Sequence, residues 1–183
     1  MHIYFVGIGG TAIGPLALIA HQAGYEVSGS DKRDSQYIQY LKKHGIDNIT
    51  IGDSQDDIVS THQSKAIDWL VHTSAVDFEN PNHEQLTWAK NNGIRISKRD
   101  ELLTELIKQK KLKLIAIAGT HGKTTTTAML VWLLKQLSIP ISYSVGAKIS
   151  FGDMGHYDPS SEYFIYECDE FDRNFLHFHP HLS

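Results

Sequence analysis

Short apolar runs alternate along the chain with stretches whose apolar residues recur at helical spacing. "HIYFV" at 2–6 reads as a buried strand, and "AIGPLALIAHQAG" at 12–24 has helical spacing, with Pro15 tolerable in the first turn and Gly24 as the stop. "YEVSGSD" is a second strand ending in Asp31. "SQYIQYLKKHG" is a second helix, with Tyr37, Ile38 and Leu41 on one side and Gly45 at its end. "ITIG" and "DWLVHTS" (68–74) predict two more strands. A helix follows from near Pro81, then the strand "IRIS" and the helix "RDELLTELIK". Strand and helix in regular alternation predict a parallel, doubly wound sheet covered on both faces.

A Lys-rich connection, "KQKKLK" at 108–113, precedes a new strand, "LKLIAIA" at 112–118. A helix over 123–137, the strand "PISYSV", a loop from 146 to 162 and the strand "YFIYECD" at 163–169 complete the pattern. The expected fold is α/β: a Rossmann-like parallel-sheet domain over 1–108, then the first part of a P-loop ATPase domain over 109–183. A P-loop sheet ordinarily has more strands than the second segment supplies, so the chain reads as a piece of a larger protein.

Two glycine-rich turns sit where a strand passes into a helix. "GIGGTA", Gly7 to Ala12, fits G-x-G-x-x-A, and Asp31 lies 24 residues beyond Gly7, where a ribose-binding carboxylate belongs. Such glycines permit a tight turn and let backbone N–H groups approach a diphosphate at the positive end of a helix. A dinucleotide and a UDP-sugar both carry a diphosphate, and a tight turn without any ligand also fits. The second turn, "GTHGKTTTT", delivers Lys123 and Thr124 into a helix directly after Gly122. A lysine there reaches the β- and γ-phosphates of a nucleotide, and the threonine hydroxyl ligates Mg²⁺. A standard P-loop carries a glycine at position 117, where this chain has Ile117.

Composition narrows the classes. The chain has 183 residues, 41% hydrophobic and 21% charged, ordinary for a soluble globular protein. A net charge of −4 gives no electrostatic case for nucleic acid as the main partner, and the Lys-rich connection reads as solvated. Cys168 is the single cysteine, so no intramolecular disulfide forms. The N-terminus lacks a basic region and a long apolar core, and no apolar run approaches the length of a membrane span. The expected location is the cytoplasm, with no membrane partner.

"GTHGKTTT" resembles the ATP loop of the Mur ligase family, the ATP-dependent amide ligases of peptidoglycan assembly. "FVGIGGTAIGPLALIAHQAGYEVSGSD", "TSAVDFENPNHEQL", "SKRDELLTEL" and "YECDEFDRNFLHFHP" extend the resemblance over essentially the whole chain. Together with "GSD", the glycine-rich start resembles the branch that takes UDP-N-acetylmuramic acid directly. Family loops of this type carry one fewer glycine, which accommodates Ile117. Thr11-Ala12-Ile13 and Ala147 depart from the family's usual Gly-Met-Ser and second glycine.

The resemblance implies a reaction joining L-alanine to UDP-N-acetylmuramate through an acyl phosphate, with ATP and Mg²⁺. A sister ligase that recycles a tripeptide onto the same sugar shares both loops and remains an alternative. So do two other classes, an NAD-dependent oxidoreductase and a non-catalytic nucleotide-sensing module. Gly119, Thr120, His121, Gly122, Lys123, Thr124 and Thr125 are the implied ATP-binding residues, Lys123 being the γ-phosphate contact. His121 either contacts the sugar carboxylate or acyl phosphate, or only shapes the loop. Thr124 and Glu167 are the implied Mg²⁺ ligands, Glu167 otherwise making a structural hydrogen bond; Asp169 is a weaker metal candidate than Glu167. Gly7, Gly9, Gly10, Thr11 and Asp31 would hold the UDP-sugar. Ser74 and Asn80 join them because ligands bind at strand C-termini in such sheets. Arg99 would either pair with the sugar nucleotide or cap the segment between domains. Glu170 and Asp172 read as solvated or capping carboxylates, and His177, His179 and His181 as surface histidines. Trp69, Trp88 and Trp132 read as core. The adenine contacts and the amine-binding domain are expected beyond Ser183, so the chain alone is expected to lack full activity.

Overall fold

The structure is a computed structural model that describes residues 1–168 and 180–182. The chain divides into two compact units, Met1–Arg99 and Asp100–Ser183.

The first unit is an open five-stranded sheet in the order β3-β2-β1-β4-β5, every pairing parallel. Its strands are β1 (His2–Val6), β2 (Glu26–Asp31), β3 (Ile49–Ile51), β4 (Trp69–His72) and β5 (Arg95–Lys98). The helices between them are α1 (Gly14–Gln22), α2 (Gln36–Lys43), α3 (Gln55–Ser64), α4 (Ser74–Glu79) and α5 (Glu84–Asn91). Successive residues of a strand face opposite sides. Tyr4, Val6 and Leu70 pack with Ile58, Ile67 and Ala89 on one side, while Ile3 and Phe5 are fully buried on the other. All of β1 is therefore buried and central, as a strand covered on both faces requires, with His2 at its start bonded to Ser28 Oγ. Gly29 lets β1 and β2 approach: a Cβ there would lie 2.4 Å from the Phe5 carbonyl oxygen.

The predicted strands of this unit are all present, and α1, α2 and α5 form within their predicted segments. Helices α3 and α4 lie where the apolar pattern predicted none. At α3 the cue is local: Ser54 and Asp57 form a capping box, with the Ser54 N–H donating to Asp57 Oδ2 at 3.0 Å.

α6 (Arg99–Gln109) runs from the first unit into the second. The second unit holds β6 (Lys113–Ile117), α7 (Lys123–Gln136), β7 (Ile141–Ser144), the short β8 (Gly155–His156) and β9 (Tyr163–Glu167). Its sheet order is β6-β9-β7-β8, with β6, β9 and β7 parallel and β8 antiparallel to β7. β9 thus lies between β6 and β7, and the register sets Glu167 beside Ile117. Val131, Ile141, Tyr143, Val145 and Ile165 form the core.

One core expectation fails. Trp69 is fully buried, its N–H donating to Ser97 Oγ at 2.8 Å, and Trp88 is half-buried against His62. Trp132, however, is 49% exposed. α7 turns Thr127 and Val131 to the sheet, and Trp132 falls with Met129, Leu133 and Leu137 on its outer face. Among the described residues, no helix is long and apolar enough to cross a membrane.

Candidate functional site

The first unit has a crevice of about 190 Å³ at the C-terminal ends of its strands, where β1 and β4 diverge from the two halves of the sheet. In open parallel sheets this switch point is where ligands bind. Gly7, Gly10, Asp31, Thr73 and Ala75 line it. Gly7 turns with φ +76°, and a Cβ on Gly9 would press on Ile38, Ser35 and Asp31 at 2.9–3.0 Å. Glycine is required at both for different reasons, conformation at the first and close approach at the second.

The glycine turn is closed on itself. Gly7 and Ile8 both donate to the Ser30 carbonyl oxygen, at 2.8 and 3.0 Å, and Gly10 donates to that of Gly7 at 3.0 Å. The Gly9 N–H donates to Asp31 Oδ2 at 2.9 Å, and the Arg33 N–H to Asp31 Oδ1 at 3.1 Å. The N–H groups of Thr11, Ala12 and Ile13, leading into α1, have no backbone acceptor among the described residues. Ser74 opens α4 between the lining residues Thr73 and Ala75. Asn80 caps the C-terminus of α4 and shapes a turn, its Oδ1 accepting from the Asn82 N–H at 3.1 Å. Arg99 opens α6, directly after β5.

In the second unit the turn after β6 is open. Gly119 (φ +143°) and Gly122 (φ +80°) hold conformations that favour glycine, and Gly122 caps α7. The first amide of this region with an intrahelical acceptor is Thr126, bonded to the Gly122 carbonyl at 2.9 Å. The consecutive N–H groups of Thr120, His121, Gly122, Lys123, Thr124 and Thr125 have no backbone acceptor among the described residues. A run of unpaired amides at a helix N-terminus is an anion cradle. Lys123 folds over it, its Nζ donating to the Gly119 carbonyl oxygen at 2.6 Å. His121 is exposed on the turn.

Thr124 Oγ1 donates to Glu167 Oε1 at 2.6 Å, and the other carboxylate oxygen accepts from the Gly146 N–H at 2.7 Å. A hydroxyl and a carboxylate converge beside the cradle. Two hard oxygen donors completed by phosphate and water suit Mg²⁺, which keeps several waters and seldom has an all-protein cage. Trp132, Met129, Ile149 and Phe151 line an open groove of about 660 Å³ beside Thr124 and Thr125. His181 is exposed, while Asp169, Glu170, Asp172, His177 and His179 lie outside the described residues.

A protein-family model, the Mur ligase family catalytic domain, matches residues 2–111. The chain belongs to the Mur ligase family. This Mur ligase chain is 36% identical over 181 residues to a UDP-N-acetylmuramate–L-alanine ligase of Clostridium botulinum (strain Eklund 17B / Type B), covering 99% of the chain and 37% of that protein. It therefore spans little more than a third of that relative's length. Its backbone matches the crystal structure of the UDP-N-acetylmuramate–alanine ligase of Thermotoga maritima with a TM-score of 0.85 at 30% identity, over 98% of this chain and 40% of that one. It also matches a UDP-N-acetylmuramate:L-alanyl-γ-D-glutamyl-meso-diaminopimelate ligase from Neisseria meningitides, TM-score 0.82 at 29% identity, over 99% of this chain and 58% of that one. The α/β architecture expected from the alternating pattern is thus the Mur ligase arrangement.

The structure adds residues to the Mur ligase crevice that the sequence reading did not name. Lys32, Asp53, Glu79 and His83 line it. Lys32 and Asp53 stand just past the ends of β2 and β3, so the strand-end rule that selected Asp31 could have found them. Glu79 depends on α4, which the apolar pattern did not predict, while His83 caps the start of α5. Lys32 Nζ is 3.0 Å from Glu79 Oε2 and 3.8 Å from Asp53 Oδ2, and Glu79 beside it raises the ammonium above the usual lysine range. His83 is 4% exposed, and burial lowers its pKa, keeping the ring neutral at pH 7. In the second unit, Gly146 is the added residue, through its N–H to Glu167.

Proposed function

We propose that this chain is the sugar-nucleotide-binding and phosphate-binding part of an ATP-dependent ligase that joins L-alanine to UDP-N-acetylmuramate. The observation that carries the reading is the cradle of amides over Thr120–Thr125, which have no backbone acceptor among the described residues, with Lys123 above it and the Thr124–Glu167 pair at 2.6 Å beside it. An NAD-dependent oxidoreductase has no use for that constellation. The names of the relatives supply the substrates, and the crevice at the β1/β4 switch point is where UDP would lie. UDP-sugar and ATP as substrates fit a cytoplasmic reaction.

In this reading the lactoyl carboxylate oxygen attacks the γ-phosphorus of ATP, the bond to ADP breaks, and an acyl phosphate forms. The amine of L-alanine then attacks the acyl carbon, the amine loses a proton, and phosphate leaves. Lys123 leaves the Gly119 carbonyl for the γ-phosphoryl oxygens, where charge develops. The amides of Thr120–Thr125 hold the β- and γ-phosphates, and the Thr125 hydroxyl adds a donor. Thr124 and Glu167 would hold Mg²⁺, which neutralises phosphate charge when bound. Gly146 keeps the Glu167 carboxylate turned toward Thr124. His121, exposed on the same turn, would contact the sugar carboxylate or the acyl phosphate.

The likeness to the Neisseria ligase supports a second reading, with a tripeptide as the amine. The test is phosphate release by the full protein given UDP-N-acetylmuramic acid and ATP, with L-alanine or with L-alanyl-γ-D-glutamyl-meso-diaminopimelate. Release with L-alanine alone is expected. Release only with the tripeptide would transfer the chain to the second reading, and release with neither would remove both.

A further inference from the structure

The glycine turn of the first unit offers an incoming anion less than its sequence suggests. The amides of Gly7, Ile8, Gly9 and Gly10 already donate within the fold. Donors for a diphosphate must come from elsewhere in the crevice. The amides of Thr11, Ala12 and Ile13 are one source. Of the described residues lining the crevice, Lys32 is the single lysine or arginine, set against the carboxylates of Asp31, Asp53 and Glu79. Asp31 is engaged by two backbone N–H groups, so Asp53 and Glu79 are the counter-ions that face the ammonium. The three charges come from three elements: Lys32 follows β2, Asp53 follows β3, and Glu79 ends α4. The lining also holds the buried His83, whose Nδ1 has no hydrogen-bond partner among the described residues.

We propose that Lys32 is the cation that meets the diphosphate of the sugar nucleotide, and that Glu79, with Asp53, is the internal counter-ion that the diphosphate displaces. This rests on the reading of the crevice as the sugar-nucleotide site. The Lys32 and Glu79 side chains are 52% and 66% exposed, so the pair is weak in itself and readily exchanged. An ammonium has three donors, so Lys32 can keep Asp53 and still bind a phosphoryl oxygen. Two carboxylates facing one lysine leave the ligand-free crevice short of positive charge, and Glu79 competes with the ligand for the same ammonium. Removing Lys32 therefore weakens binding, and neutralising Glu79 strengthens it.

The test is calorimetric titration of the chain with UDP, UDP-N-acetylmuramic acid and uridine. Lys32→Gln is expected to bind both diphosphates roughly tenfold or more weakly, as loss of a charged hydrogen bond implies, with uridine unchanged. Glu79→Gln is expected to bind UDP a few-fold more tightly, and that gain is expected to vanish in the Lys32→Gln/Glu79→Gln double variant. Lys32→Arg, which keeps the charge, guards against a folding defect and is expected to retain most of the affinity. If Lys32→Gln binds UDP within twofold of the unaltered chain, or Glu79→Gln binds it more weakly, the proposal fails while the sugar-nucleotide reading stands. If the unaltered chain binds neither UDP nor its sugar conjugate, both fall together.

Discussion

Replacing Gly146 by alanine tests whether Glu167 must be held where the structure holds it. A Cβ on Gly146 would stand 2.8 Å from Glu167 Oε1 and 2.9 Å from both Cδ and Oε2. Ordinary contacts are about 3.5–4.0 Å, so the carboxylate must retreat by roughly 0.5–1 Å. Gly146 is not in a conformation reserved for glycine, so the effect falls on Glu167 and not on the backbone. Retreat strains both bonds that fix the carboxylate, 2.7 Å from the Gly146 N–H and 2.6 Å from Thr124 Oγ1. A hydrogen bond to a charged group is worth about 1.5–3 kcal/mol, and a 1 Å misplacement near the chemistry can cost about a hundredfold. In the full protein, Gly146→Ala is expected to raise the Mg²⁺ concentration for half-maximal phosphate release about tenfold or more. It should lower kcat/KM for ATP by up to about a hundredfold, with UDP affinity unchanged. In a Glu167→Gln background the same change is expected to add little, because both act through one carboxylate. Mg²⁺ dependence and kcat/KM within twofold of the unaltered protein would refute the role given to Gly146 and Glu167.

Lys123→Ala is expected to reduce ligation to below about a tenth, since one electrostatic contact to the reacting phosphoryl is worth roughly 3–4 kcal/mol, while UDP-sugar binding by the first unit persists; survival of ligation above that level counts against its role. Gly29→Ala forces a Cβ to 2.4 Å from the Phe5 carbonyl oxygen and 3.0 Å from Ile8 Cδ1, so urea denaturation is expected to show a loss of about 3 kcal/mol; a loss under 1 kcal/mol would mean the β1–β2 spacing is not fixed. His83 has a folded pKa below its unfolded value of about 6.5, so the unfolded chain binds the extra proton first. The contribution of His83 is then level above pH 6.5 and is lost as pH drops through the window beneath it; burial lowers His156 in the same way, so His83→Leu should reduce that fall without abolishing it, and an unchanged pH profile would show that His83 does not contribute.

The central strands were legible because buried parallel strands carry apolar runs, as in "IYFV" and "LIAI", each closed by a glycine turn, whereas the two-residue β8 lies inside the segment read as loop. Helices α3 and α4 were not legible for the same reason in reverse. Of α3, only Ile58 and Thr61 are buried, and α4 buries no residue, so neither carries a strong apolar stripe. With α4 missing, Glu79 could not be placed beside Lys32. Trp132 was misplaced because the stretch 128–134 of α7 is apolar all round, and a pattern without a polar side does not say which face meets the sheet. Thr124 and Glu167 were readable as candidates from the helix start and the strand end. That they meet depends on β9 lying directly beside β6, a topological fact that no spacing in the sequence carries.

The most direct measurement follows oxygen. UDP-N-acetylmuramic acid labelled with ¹⁸O at both carboxylate oxygens is given to the full protein with ATP, Mg²⁺ and L-alanine, and the phosphate and amide products are weighed by mass spectrometry. If the carboxylate attacks the γ-phosphorus, each turnover leaves one ¹⁸O in inorganic phosphate and one in the new amide. Unlabelled phosphate released together with the ligated product would contradict the acyl phosphate, and no ATP-dependent product with either amine would contradict the ligase itself.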